Sequence, residues 1–234
     1  MACNRHFYDG LWRDARLVGP ERFNTWPAVQ ALAENAANRL EVAPGLRPRL
    51  PIAGTTFADI SLPALRQLER RGGRVVHASV TALPFASDSF DLICAMDIVE
   101  HVEDDRSAFS ELARVAKPGA TLLLSVPLHP SAWTPYDDFV GHYRRYRPDE
   151  LHARLIDNGF TTQRSAVHGM QPQSSRLLDL GMWFLTHRRR QAMWWYNRVF
   201  MPIGLHFQKP LAWNDGLVTD DSIDTVLIVC RKHS

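Results

Sequence analysis

The sequence predicts an α/β fold in which a mainly parallel sheet is wrapped by helices, and three observations predict it. Short runs of strand length alternate with helical periodicity from about residue 29 to 160. Those runs are apolar at nearly every position, as strands covered on both faces are. At 234 residues, with 45% hydrophobic and 22% charged side chains, the chain can build one sizeable core, or a core with one appended lobe.

The first five strands are expected at 39–42, 55–59, 75–78, 92–96 and 121–126. Between the first two, Pro48 and Pro51 crowd the place of a full helix, which should be short or irregular. After the second, Ser61 can cap a helix that carries Leu62, Leu65 and Leu68 on one face and stops at Gly72-Gly73. A helix over about 107–116 turns Phe109, Leu112 and Ala113 inward and ends at Lys117-Pro118-Gly119. Another opens with Pro148 in its first turn, buries Leu151, Leu155 and Ile156, and meets Gly159. Strands at 165–168 and 225–230 complete a set of seven. Between 171 and 213 the character changes, with Trp183, Trp194, Trp195 and Phe200 interleaved with Arg188, Arg189, Arg190 and Arg198.

A formal charge of +2, from 27 basic and 25 acidic side chains, gives no global field to hold nucleic acid or an anionic membrane, so neither is expected without a local patch. The N-terminus lacks a secretory pattern, and no run reaches the roughly 18 apolar residues a membrane-spanning helix needs. A cytoplasmic protein is expected. Cys3, Cys94 and Cys230 fit neither a disulfide framework nor a zinc knuckle, and the last two sit in strands as small apolar residues.

Polar residues gather at the carboxyl ends of the strands, where open parallel sheets bind ligands. Gly45 follows the first strand, in a turn that lets backbone approach a ligand closely. Asp59, 18 residues beyond Glu41, ends the second strand. A carboxylate there can accept both hydroxyls of a ribose, as in nicotinamide-binding sheets, or serve as the acid ahead of the next helix.

The stretch from Leu83-Pro84-Phe85 through Phe90-Asp91 and an apolar strand to Asp97 and Glu100-His101-Val102 resembles the centre of the class I S-adenosylmethionine-dependent methyltransferases of the type 11 group. The turn at Gly45 resembles their glycine loop, with Ala43 and Arg47 where glycines are usual. The resemblance spans about 29–168 and returns for the last strand. It implies a Rossmann-like, seven-stranded, mostly parallel sheet whose last strand is antiparallel. The core would comprise residues 1–170 and 218–234, and an aromatic-rich helical lid, 171–217, would be inserted between the last two strands. Tyr8, Trp12 and Phe23 fall in the segment that folds over the cofactor in this family, or pack as ordinary core.

The resemblance also implies S-adenosylmethionine as cofactor, bound by Glu41, Ala43, Gly45, Asp59, Ile60, Ser79, Val80, Met96 and Asp97. Ser79 stands where an acid usually meets the adenine amino group; it offers a hydrogen bond without charge, or is simply a satisfied loop hydroxyl. Adenine would rest on Ile60 and Val80. Glu41 and Asp97 suit the cofactor's sulfonium and ammonium charges.

After the fifth strand, Gly141-His142-Tyr143-Arg144-Arg145-Tyr146, preceded by Trp133 and Asp138, resembles a loop found in a subgroup of these enzymes. It lies where an acceptor must meet the methyl group. His142, His129 and His101 are candidate bases, because imidazole titrates near neutrality, and Asp137 or Asp138 could orient His142. Trp133, Asp138, Tyr143, Arg145 and Trp183 are candidate acceptor contacts. The alternative is structural: Asp138 paired with Arg144 or Arg145, and His142 hydrogen-bonded inside the loop. No metal is expected, since these histidines lack paired ligand spacing.

The inserted aromatic residues could form the core of a helical lobe, line an apolar acceptor pocket, or rest on a membrane surface. The expected reaction is methylation of an oxygen or nitrogen on a small or medium-sized, partly apolar acceptor. The worn glycine loop and Ser79 motivate an alternative, a scaffold that has kept the fold without catalysis. A nicotinamide-dependent oxidoreductase is disfavoured by the missing glycine pattern.

Overall fold

The structure, a computed structural model, describes residues 2–168 and 175–233, and the side chains of 7–168 and 177–233. Helices α1 (Ala2–Asp14) and α2 (Trp26–Glu34) precede β1 (Arg39–Val42), β2 (Thr55–Asp59), α3 (Leu62–Glu69) and β3 (Arg74–His77). Then follow β4 (Phe90–Met96), α4 (Asp105–Val115), β5 (Ala116–Pro127), α5 (Pro135–Val140), α6 (Pro148–Asp157) and β6 (Phe160–Val167). Beyond residues 171–174 of the expected lid, which lie outside the described residues, come α7 (Ser175–His187), α8 (Arg189–Trp195), a π turn (Tyr196–Phe200), α9 (Met201–His206), β7 (Trp213–Asp215) and β8 (Thr225–Lys232).

The sheet has eight strands in the order β3-β2-β1-β4-β5-β8-β6-β7. The first five are parallel, and β8 runs antiparallel between β5 and β6. One strand more is present than the sequence predicts, because three residues, Trp213–Asp215, add to the free edge of β6. So short a strand carries no periodic signal; Arg164 stacks its guanidinium 4.5 Å over the Trp213 ring and ties it down.

Helices cover both faces. Phe109 and Leu112 of α4 and Leu151 and Leu155 of α6 join one core with Ile93, Leu122 and Leu124, all fully buried. Val29 and Ala33 of α2 meet Leu92, Cys94 and Leu123 on the other face. Each buried Val, Leu, Ile or Phe among them contributes about 1.5–3 kcal/mol. Ile156 is 49% exposed, contrary to expectation, because it sits one position round the helix from Leu155, off the buried stripe. Leu62 is likewise exposed at 41%, and Ala64 takes its place beside Leu65 and Leu68. Ser61 precedes α3 without a side-chain capping bond; its hydroxyl instead donates to Asp9 of α1 at 2.8 Å.

No helix forms between β1 and β2. Pro44, Pro48 and Pro51 interrupt the backbone ladder there, while Leu46 and Leu50 are fully buried. The Glu41 carboxylate accepts the backbone N–H groups of Arg49 (2.8 Å) and Leu50 (2.9 Å), doing for this loop what helix hydrogen bonds would have done. Among the described residues no helix is long and apolar enough to cross a membrane.

Candidate active site

The carboxyl ends of β1, β2 and β4 converge. Ala43 (φ 52°), Gly45 (φ 54°) and Asp97 (φ 52°) all adopt the left-handed backbone conformation. For a residue with a Cβ this costs roughly 1–2 kcal/mol, and such strain persists only where neighbours enforce it. Here Ala43 N–H donates to the Ala58 carbonyl at 2.7 Å, and Asp97 N–H donates to the Ser125 carbonyl at 3.1 Å. Ser125 Oγ in turn donates to Asp97 Oδ1 at 2.6 Å, so the Asp97 side chain is pinned yet exposed.

Asp59 at the tip of β2 accepts Gly45 N–H on Oδ2 (3.1 Å) and Ser61 N–H on Oδ1 (2.8 Å). Burial raises its pKa to about 6 against the pull of those N–H groups. Each carboxylate oxygen retains a lone pair, so a pair of ribose hydroxyls can still be accepted. Glu41 is a different case. It is buried beneath the loop and occupied by backbone, and burial pushes its pKa up to about 7.

Arg49 carries no motif in the sequence. It is buried, its guanidinium lies 3.7 Å over the Phe23 ring, and its Nη1 has no hydrogen-bond partner. Burial lowers its pKa, and the charge that most opposes this is Asp97. An orphaned guanidinium N–H beside an exposed carboxylate suits a zwitterionic amino-acid group, with its carboxylate on Arg49 and its ammonium on Asp97. Together with Asp59 this donor and acceptor set fits S-adenosylmethionine.

Aromatic side chains cover this region. A Cβ on Gly45 would lie 2.3 Å from Trp12 Cζ2, so the indole rests directly on the loop. Arg47, which occupies a usual glycine position, stacks between Trp12 (5.5 Å) and Tyr196 (4.7 Å). Met193 and Tyr196 pack with Leu11, Trp12 and Leu46, so α1 and α8 close over the loop together.

The second half of the site is a histidine pair. His101 and His142 meet edge to face at 4.6 Å, and the Tyr8 hydroxyl lies 3.4 Å from His101 Nε2. His142 Nδ1 is 2.8 Å from Asp137 Oδ1, and its Nε2 is 4.0 Å from Glu100 Oε1. Asp137 also receives Arg145 Nε (2.9 Å) and Nη2 (3.0 Å) and closes a capping box with Thr134 at the start of α5. Arg145 continues to Asp224 at 2.6 Å.

Burial raises the Glu100 pKa well above the carboxylate range, lowers that of His101 to about 4 with His142 adding to the effect, and lowers that of His142 against its bond to Asp137. Donor atoms of Glu100, His101 and His142 lie within 4.8 Å of one another, close enough to share a proton or hold a cation. The sequence hides this group because His142 is 41 residues downstream of His101 and reaches it only when the loop folds back.

The remaining candidates make other contacts. His129 accompanies the 218–224 loop, with Nε2 3.1 Å from the Asp220 carbonyl. The buried ion pair of Arg145 is with Asp137; Asp138 is exposed and accepts Trp133 Nε1 at 3.2 Å. Tyr143 and Trp183 are exposed, the latter stacked on His187 at 4.9 Å. Ser79 Oγ meets Thr81 Oγ1 at 2.8 Å, Val80 is buried in the main core, and Ile60 and Met96 are half-buried.

Comparison with known proteins identifies the family. The family described as a methyltransferase domain matches residues 41–124. A relative from Mycobacterium sp. strain JLS, described as an uncharacterized methyltransferase, is 30% identical over 224 residues, covering 81% of this chain and 88% of its own. One from strain KMS, described in the same words, is 30% identical over 135 residues, covering 55% of this chain and 53% of its own. Among solved structures, an S-adenosylmethionine-dependent methyltransferase of Thermotoga maritima shares the fold with a TM-score of 0.61 at 14% identity, covering 90% of this chain and 88% of that one. A Haemonchus contortus phosphoethanolamine N-methyltransferase bound to S-adenosylhomocysteine gives 0.55 at 14% identity, covering 89% and 53%. The chain belongs to the class I S-adenosylmethionine-dependent methyltransferases, and S-adenosylmethionine is its cofactor.

Proposed function

We propose that this protein methylates an oxygen or nitrogen of a small or medium-sized, partly apolar acceptor, with His142 as the base. The observation that carries this reading is the Asp137–His142 hydrogen bond at 2.8 Å, set beside the strand end that bears Asp97. When bound, the cofactor supplies an electrophilic methyl group on its sulfonium. Asp59 accepts its ribose hydroxyls, and Arg49 and Asp97 take the two charges of its amino-acid end.

His142 donates Nδ1–H to Asp137, which leaves Nε2 without a proton and free to accept one from the acceptor's O–H or N–H group. Asp137 then stabilises the imidazolium, and its charge is held in place by Arg145. A base so positioned commonly contributes a factor on the order of a hundred or more, and alignment of the two reactants about 7–11 kcal/mol. Tyr8 and Trp12 exclude water. Tyr143, Trp133 and Asp138 form the acceptor side, with α7–α9 as a lid, while Arg145 works through Asp137.

The test is incubation with methyl-labelled cofactor and a cell extract. Label should appear on extractable small molecules. Label confined to nucleic acid or protein would overturn the acceptor class.

A further inference from the structure

Charge is unevenly placed along this chain. Residues 177–214 carry Arg188, Arg189, Arg190, Arg198 and Lys209 against one acid, Asp179, a local +4 in a chain whose total is +2. The same region exposes apolar surface. Eight of the thirteen large apolar side chains exposed among the described residues lie between 177 and 207. Leu177, Leu180 and Trp183 recur every third residue of α7 and form one stripe. Phe200, Ile203 and Phe207 follow further on, three and then four residues apart, at 63%, 52% and 75% exposure.

These side chains are not a helical core. The inward positions of the segment, Met193 and Met201, are buried, and the exposed residues are left over once that packing is complete. So many exposed large apolar side chains on one segment mark an interaction site. Its concavities are basic. A groove of about 380 Å³ is lined by Arg16, Arg22 and Arg198 over Met201, Pro202 and Leu205, and an open one of about 630 Å³ by Arg188, Arg189 and Arg190; no acidic residue lines either.

A second copy of this chain would bring two surfaces of like charge together, which costs affinity. A bilayer with anionic headgroups matches both properties, since basic amphipathic helices lie in the interface plane with their apolar side in the headgroup boundary. We propose that the outer face of α7–α9 docks on an anionic phospholipid bilayer, its aromatic rings entering the headgroup layer and its arginine grooves taking lipid phosphates. Docking would hold the site mouth against the membrane, where an apolar acceptor is concentrated. The surface is distinct from the cofactor site, so its test does not depend on methyl transfer.

The test is co-sedimentation of the intact protein with vesicles of phosphatidylcholine alone and of phosphatidylcholine mixed with phosphatidylglycerol. Each basic residue at such a surface strengthens binding roughly fivefold, so the mixed vesicles should bind at least about tenfold more tightly, and high salt should reverse this. Arg188→Glu with Arg190→Glu should weaken binding by at least about tenfold, and Phe200→Asp with Ile203→Asp should abolish it. Both variants should keep the wild-type melting temperature, because the substituted side chains are exposed. Equal binding to both vesicle types, or none to either, overturns the proposal. So does a dimer in the ultracentrifuge that Phe200→Asp with Ile203→Asp dissociates, which would assign the face to a second copy.

Discussion

Asp137 Oδ1 stands 2.8 Å from His142 Nδ1 while the same carboxylate takes both Nε and Nη2 of Arg145. One buried acid therefore does two things. It neutralises a guanidinium that is almost wholly buried, and it fixes the tautomer of the imidazole that faces Glu100 and His101. The hydrogen bonds that hold this loop are thus the ones that orient His142.

Asp137→Asn should separate the two roles. Removing the charge leaves Arg145 with Asp224 as its remaining carboxylate, and breaking one side of a buried pair costs on the order of 3 kcal/mol, readable by urea unfolding. His142→Gln leaves the pair in place. It should lower turnover about a hundredfold with cofactor affinity unchanged, as measured by single-turnover kinetics and calorimetry. Wild-type turnover in His142→Gln would remove it from the base role.

Glu41 predicts a pH dependence whose sign is fixed by its burial. Its pKa rises from 4.5 to about 7 on folding, so the folded protein holds the proton more tightly than the unfolded chain. The stability this contributes is complete below about pH 4.5 and is lost as pH rises through about 7. Glu41→Gln cannot titrate. The stability of wild type relative to Glu41→Gln should therefore fall by on the order of 2 kcal/mol between about pH 5 and pH 8. Parallel curves for the two proteins would place the Glu41 pKa in the ordinary range.

Much of this arrangement is legible in the sequence, and the illegible part has a common cause. Strand runs such as 55–59 and 92–96 announce themselves because burial on both faces demands continuous apolar residues, and Asp59 and Asp97 are conspicuous as the acids that end them. Arg49 and the Glu100–His101–His142 group are defined by what they lack or by what folds back on them. An orphaned guanidinium and two histidines 41 residues apart leave no local pattern. Asp137 and Asp138 differ by one position, and only the capping box of α5 decides which of them turns inward.

Arg49→Met tests the role proposed for that guanidinium. A charged hydrogen bond to the cofactor's carboxylate should be worth tenfold to a hundredfold in affinity, roughly 1.5–3 kcal/mol. S-adenosylhomocysteine should lose that much, while methylthioadenosine, which has no amino-acid end, should bind as it does to wild type. Equal losses for both ligands would show that Arg49 acts by packing on Phe23.

Gly45 and Trp12 should be coupled energetically. The glycine has φ +54°, and a Cβ there would lie 2.3 Å from Trp12 Cζ2 and 2.5 Å from Cε2. Gly45→Ala therefore carries a backbone cost of about 1–2 kcal/mol together with a steric one. Only the steric part can be relieved by removing the indole. In a double-mutant cycle with Trp12→Ala, the alanine at 45 should be better tolerated than in wild type, with an interaction energy of about 1–3 kcal/mol. Trp12→Ala alone should also admit and release cofactor faster, because the ring that lies on the loop is gone, and stopped-flow fluorescence would read both rates. Strict additivity in the cycle would mean that α1 stands off the loop in solution. Unchanged rates would mean that the cofactor enters by a route Trp12 does not cover.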